Sequence, residues 1–565
     1  MHAVTPRARA VRAHHRTESR RPMRTRVTIA LLAVAPFATT LAQGAAGTPR
    51  AQTVNGTVVG ITLPSGVKSF RGVPFAAPPV RENRWRPPQP VRNWTGARMA
   101  DRFADQCMQA RVFGDMMFRN SGNSEDCLYL NVWMPANAQP NTALPVLVYY
   151  YGGGFVAGDG SEPRYDGESM AKRGIVVVTT SYRLGVFGFF SHPELTAESP
   201  HRASGNYSLM DQGAALQWVR ANIARFGGDP RRVTIAGESA GSFAVSAQMA
   251  SPMARDLIAG AIGESGAFFS TTIATPSRDS TEKIGVSFAQ KVEAPNLAAL
   301  RALSAMELLE ASGRPGMPRF GPNIDGWFFP DVPANIFAKG QQAKVPLLAG
   351  WNSEEMNARA ILRSTPNAEN VKALLDSLFP GRGEAAAKVF PASTADEALQ
   401  SVTDLAGDRF IGFSTWKWLE VHGKTSGKPV YRYLYARPRP PTVEAGVTPN
   451  LAGGVRRGGN AAPPPPARGA VHSAEIEYAM GNLHLNNVFA WTDDDRKVSR
   501  TMQGYFENFI KTGNPNGQGL PNWPVGLVNA SGDAQRIRID VETKAEPEPR
   551  ARYMFQDEVY SATPR

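Results

Sequence analysis

Short apolar runs rich in β-branched and aromatic residues recur along this chain, separated by stretches whose apolar positions return every three or four residues. The runs at 146–151, 175–180, 233–236, 345–349 and 430–435 predict buried strands, each ending near Gly or a polar residue. Between the second and third, Leu216, Val219, Ile223 and Phe226 recur at spacings of 3, 4 and 3, the signature of a helix with one face on a core. Met502, Phe506, Phe509 and Ile510 form another helical stripe near the end. Strands alternating with helices predict an α/β architecture, a mostly parallel central sheet covered by helices on both faces. Residues 280–400 read as mostly helical and are expected to form a cap or side subdomain rather than an independent domain.

Two segments break this pattern. Residues 27–42, VTIALLAVAPFATTLA, are an uncharged apolar run behind a basic stretch and ahead of small residues, the layout of a secretory signal peptide. Interrupted by Pro36, the run is short for a membrane span, which needs ~20 residues. The expected organisation is therefore a signal peptide at 1–42, with Met23 as an alternative start, followed by one domain over 43–565. A secreted or periplasmic location follows. Residues 437–468 hold eight Pro and five Gly, which predicts a loop or extended spacer. It ends just before His472 and is expected to border the entrance of any site there and to affect large substrates.

Composition adds exclusions. With 42% hydrophobic and 20% charged residues among 565, the chain is too apolar to stay disordered. The net charge of +13 shrinks once mapped. Residues 1–26 carry eight Arg against one Glu, and 437–468 carry five Arg against Glu444. Without these two segments the remainder is close to neutral, so a nucleic-acid partner is not expected. The two cysteines, Cys107 and Cys127, form an even, isolated pair that reads as one disulfide in an exported protein. Their spacing fits no zinc pattern.

The candidate chemistry centres on Gly237-Glu238-Ser239-Ala240-Gly241, which follows the apolar run at 233–236 and opens the helical stretch 240–250. By itself Gly-x-Ser-x-Gly settles little in a chain with 53 Gly. Strand, tight turn and helix are the setting of a nucleophile elbow, where small neighbours leave the Ser239 hydroxyl exposed on a strained turn. Such a serine needs a base, and the base needs an orienting acid. Outside the leader, His472 follows a strand and a loop, whereas His192, His201, His422 and His484 sit in polar or loop settings. The acid belongs between serine and histidine, and spacing alone leaves Glu354, Glu355 and Asp325 open. Gly152-Gly153-Gly154 at the end of the first strand offers backbone N–H groups for an oxyanion alongside that of Ala240. No Gly-Lys-Ser/Thr follows, against a phosphate loop.

Together these segments resemble the type-B carboxylesterases, the α/β-hydrolase family that includes bacterial para-nitrobenzyl esterases and the cholinesterases. Glu125–Val132, the Gly152–Gly154 loop, Ser181-Tyr182-Arg183-Leu184-Gly185, Asn206 with Asp211-Gln212, Phe226–Pro230 leading into Gly237–Gly241, and Thr512–Asn516 all look like the family's segments. The resemblance spans roughly residues 53 to 560. It implies the α/β-hydrolase fold and a serine carboxylesterase with an acyl-enzyme intermediate, a small-molecule ester as substrate, and no metal or organic cofactor. The family's acidic stretch matches Gly350-Trp-Asn-Ser-Glu354-Glu355-Met356, which implies Glu355 as the acid, with Met356 where the family has Gly. Ser239, Glu355 and His472 would form the triad, with Gly153, Gly154 and Ala240 as oxyanion donors. Ser265 is similar to the family's buried serine that supports the acid, and Glu238 is assigned a supporting role beside it. Cys107 and Cys127 look like the first disulfide loop, and 108–126 contains no Trp of the kind that holds choline, only Phe113 and Phe118. Competing readings are a specialised hydrolase for a bulky, polymeric or lactone ester, and a non-catalytic adhesion or binding member of the fold. A histidine base predicts loss of rate as pH falls through ~6.5.

Overall fold

The structure is a computed structural model that describes residues 48–269, 275–450, 454–456 and 467–562. The leader at 1–42 and most of the Gly/Pro-rich stretch 451–466 lie outside the described residues.

Eleven strands make the central sheet: β1 (Ile61–Thr62), β2 (Lys68–Pro74), β3 (Tyr129–Met134), β4 (Leu144–Tyr150), β5 (Val176–Thr180), β6 (Gly228–Glu238), β7 (Gly260–Glu264), β8 (Leu347–Asn352), β9 (Val430–Tyr435), β10 (Gln535–Ile539) and β11 (Lys544–Pro547). Their spatial order is β11-β10-β9-β8-β7-β6-β4-β5-β3-β2-β1. From β10 across to β5 every pairing is parallel, and the pairs at both edges are antiparallel. Strands β4, β5, β8 and β9 read as continuous apolar runs because helices cover both faces, leaving no solvent side for polar residues to alternate onto. β7, Gly-Ala-Ile-Gly-Glu, carries no comparable β-branched run and is a strand because parallel neighbours β6 and β8 flank it.

The chain leaves β5, runs through the helix Tyr207–Asn222, and returns on the other side of β4 as β6. That reversal is a topological switch point, where the carboxyl ends of neighbouring strands diverge and leave a crevice. The helix predicted through Phe226 ends earlier, at Asn222. Ile223–Phe226 tighten into a 3₁₀ turn closed by Gly227 at φ 82°, while both apolar side chains stay buried as the periodicity requires.

Within 278–407 the chain is built largely of helices, including Arg278–Lys291, Ala305–Gly313, Ala368–Leu378 and Ala395–Gly407. Val371, Leu375, Phe379, Phe390, Val402 and Leu405 form a separate apolar cluster closed by Phe555 from the last helix. Among the described residues no helix is long and apolar enough to cross a membrane.

Cys107 and Cys127 are joined in a disulfide across 20 positions. A cross-link of that span restricts the unfolded chain by about 3 kcal/mol. Reduction is expected to lower the unfolding free energy by about that amount, read as a lower denaturation midpoint with reductant present, whereas coincident curves would show that the loop is held by its packing alone.

Candidate active site

The turn after β6 holds Ser239 at φ 55° and ψ −120°, a conformation disfavoured for any residue with a side chain. Its N–H donates to the Glu264 carbonyl at 2.8 Å, and the helix Ala240–Ala250 begins at the next residue. This helix starts against the end of β4, so closely that a Cβ on Gly241 would lie 2.0 Å from the Tyr150 carbonyl oxygen. One on Gly237 would lie 2.6 Å from Gly241 backbone atoms. Both flanking glycines of the motif are therefore set by close backbone approach. Beyond β4, Gly153 and Gly154 sit at φ 113° and 64°, and no described partner takes their N–H groups. The Ala240 N–H lies in the first turn of its helix, where no intrahelical acceptor exists. Free donors at the ends of β4 and β6 thus flank the strained serine.

The loops after β8 and β9 bring in the histidine and its acid. His472 Nδ1 lies 2.6 Å from Glu355 Oε2. The other oxygen, Glu355 Oε1, accepts from Ser265 Oγ at 2.5 Å and from the Asn352 N–H at 2.7 Å, so the carboxylate is held from three sides. The two other acids left open by spacing do different work. Glu354 accepts the Arg468 and Gly469 N–H groups at 2.7 and 2.8 Å and ties the two loops together. Asp325 caps the N–H groups of Trp327 and Phe329 within its own turn. Met356 keeps ordinary negative φ, so its position does not require the glycine that the resemblance implies.

Glu238 also reaches the imidazole, with Oε1 3.2 Å from His472 Nε2. Two further carboxyl groups lie buried nearby. Glu264 accepts from the Tyr149 hydroxyl at 3.1 Å, and Glu475 accepts from Asn352 Nδ2 at 2.5 Å. Burial pushes Glu238 up to about 7 and Glu475 up to about 8, and raises Glu264 well above the usual carboxyl range. For His472 burial pulls downward, but the facing Glu238 and Glu355 outweigh it and lift the imidazole to about 9. The two flanking carboxylates therefore favour the imidazolium, and His472 stands above the ordinary histidine range.

These groups open onto a cavity of about 340 Å³ lined by Gly152–Gly154, Ser239, Ala240 and His472, with Phe113, Met116, Phe155, Phe243 and Phe410 forming much of its apolar wall. Phe410 comes from Asp408–Gly412, a π-turn between two helices, and its ring stands edge-on to His472 at 5.0 Å. Described parts of the 437–468 segment contact neighbouring loops. Asn450 and Gly454 donate to Asp115 inside the disulfide loop, and Arg439 donates to the Ser473 carbonyl beside His472. Spacing alone singled out neither Phe410 nor Glu475. Glu475 lies three residues beyond His472 in Ala-Glu-Ile-Glu, where nothing local marks it over Glu477, and Phe410 carries no sequence signal either.

Sheet order, switch point and strand-to-helix serine turn define an α/β-hydrolase. The chain belongs to the Carboxylesterase family, whose profile matches residues 47–555, and it is a carboxylic ester hydrolase. It is 34% identical over 490 residues to a fumonisin B1 esterase of Sphingopyxis macrogoltabida, covering 84% of this chain and 83% of that protein. A human cocaine esterase is 33% identical over 489 residues, with 82% of each chain covered. Among solved structures, a PNB esterase superposes with a TM-score of 0.73 at 30% identity, covering 90% of this chain and 99% of that one.

The close approach at the serine turn has a direct consequence. Gly241→Ala forces the helix away from Tyr150, and a loss of more than about 2 kcal/mol of stability is expected. A denaturation midpoint equal to the parent's would show that the turn relaxes freely.

Proposed function

We propose that the protein is an exported serine carboxylesterase in which Ser239, His472 and Glu355 act as a triad. The observation that carries this reading is the 2.6 Å contact of His472 Nδ1 with Glu355 in the same cavity as a serine held at positive φ. Ser239 Oγ attacks the ester carbonyl while His472 Nε2 takes its proton. Glu355, fixed by Ser265 and the Asn352 N–H, keeps the imidazole oriented and stabilises its cationic form. Charge developing on the carbonyl oxygen is met by the N–H groups of Gly153, Gly154 and Ala240, each worth roughly 3 kcal/mol in the transition state. The leaving alcohol takes the proton back from His472, and water releases the acid from Ser239 by the reverse path. Ester hydrolysis by this route calls on no metal or organic cofactor.

The N-terminal basic, apolar and small-residue pattern together with the disulfide supports export to a secreted or periplasmic location. The substrate is a small-molecule carboxylic ester. The relatives' names, cocaine esterase and fumonisin B1 esterase, support a site open to more than simple short-chain esters.

Hydrolysis of a graded series of para-nitrophenyl esters is expected to fall at least about a thousandfold in Ser239→Ala. Retained turnover in that variant would sink the triad. The pH profile tests the carboxylates. Because Glu238 and Glu355 stabilise the imidazolium, the base form of His472 gains population only as pH rises past its raised position. The acid limb of kcat/KM is therefore expected above ~6.5. Glu238→Gln removes one of these anions, so the limb should move to lower pH by about one unit. An unmoved limb would show that Glu238 does not hold the proton.

A further inference from the structure

Arg164 is the only Lys or Arg among the described residues lining the Ser239 cavity, and it is almost wholly buried, at 3% exposure. A guanidinium in such a place needs anionic or polar partners for its five N–H donors. Two other buried arginines show what a closed structural pair looks like in this molecule. Arg84 grips Glu125 through Nε and Nη2, both at 2.6 Å, and Arg183 grips Asp211 at 2.8 and 2.7 Å, each as a two-pronged fork. Arg164 does not close this way. Its Nε donates to Glu162 Oε1 at 2.6 Å, and Glu162 Oε2 is buried without a hydrogen-bond partner. Nη2 reaches the Tyr165 hydroxyl at 3.3 Å and Nη1 only the Ser473 hydroxyl at 3.5 Å, so two N–H groups have no partner among the described residues.

We infer that Arg164 is a specificity determinant that binds a free carboxylate carried by the ester substrate, so that the site favours anionic esters over neutral ones of equal size. This rests on the serine-esterase reading of the same cavity. An arriving carboxylate completes the fork that Glu162 leaves open, at the boundary between the imidazole loop, through Ser473, and the wall below the glycine turn, through Tyr165. The acids facing the guanidinium are Glu162, Glu238 and Glu477. Glu477 is already paired with Arg439 at 3.2 Å, and Glu238 faces His472 Nε2 at 3.2 Å, so each of these two acids has a cationic partner or imidazole of its own. A guanidinium buried to this degree also discriminates, because a neutral alkyl isostere leaves its N–H groups unpaired.

The test compares kcat/KM for matched anionic and neutral esters in the wild type, Arg164→Met and Arg164→Lys. One pair carries its charge on the acyl side, para-nitrophenyl hemisuccinate against para-nitrophenyl butyrate. The other carries it on the alcohol side, 4-acetoxybenzoate against 4-acetoxybenzamide. In Arg164→Met the anionic-to-neutral ratio is expected to fall at least tenfold for the pair whose carboxylate reaches the guanidinium, with part of it restored in Arg164→Lys. Unchanged ratios for both pairs, with neutral turnover intact, overturn the inference and leave the esterase reading standing. No wild-type turnover of any of the four esters overturns the small-ester reading of the site and this inference with it. If Arg164→Met fails to fold, the wild type decides through competitive inhibition of butyrate-ester hydrolysis. Glutarate inhibiting at least tenfold more strongly than its diamide, and less so at high salt, supports the assignment, and equal inhibition overturns it.

Discussion

Surrounding a single imidazole with buried carboxyl groups is the constraint on which the site depends. Glu238, Glu264, Glu355 and Glu475 are all removed from solvent, and each would be costly there as an isolated charge. The structure answers with fixed donors: Ser265 and the Asn352 N–H on Glu355, the Asn352 side chain on Glu475, Tyr149 on Glu264. Where donors are fewer, burial raises the carboxyl and the proton stays in the cluster. His472 is lifted in turn, because two carboxylates flank its two ring nitrogens. Proton affinity here belongs to the cluster more than to any one member.

The parallel sheet is what gathers these groups. β6 and β7 end in Glu238 and Glu264, β8 ends in Asn352 just before Glu355, and the loops after β9 deliver His472 and Glu475. Parallel register places all these carboxyl ends on one edge, and the reversal of strand order around β4 opens a crevice there. Strain at Ser239 persists because the helix behind it cannot retreat, being seated on the Tyr150 carbonyl through a glycine. Fold rigidity and the exposed serine are thus one feature seen from two sides.

Electrostatics also shape the cavity beyond the His472–Glu355 contact. Its wall is largely aromatic and aliphatic, with one guanidinium among the described residues, Arg164, whose N–H groups are only partly paired. Phe410 reaches His472 only because a π-turn inserts an extra residue between two helices, a local irregularity frequent at functional positions.

Much of this was legible in the amino-acid order. Continuous apolar runs marked β4, β5 and β9 because strands covered on both faces have no polar side to show. The Gly-x-Ser-x-Gly turn was legible because steric exclusion leaves only glycine at a backbone contact. Cys107 and Cys127 could pair only with each other. The acid was not readable from spacing. Glu354, Glu355 and Asp325 are chemically alike, the family resemblance points to Glu355, and only the approach of the β8 and β9 loops sets Glu355 beside His472. Glu475, Phe410 and Arg164 became site residues through tertiary structure alone. A charge or a ring acquires its role from what it faces across hundreds of residues, and that distance is fixed by packing, whereas local sequence encodes only what its immediate backbone can adopt.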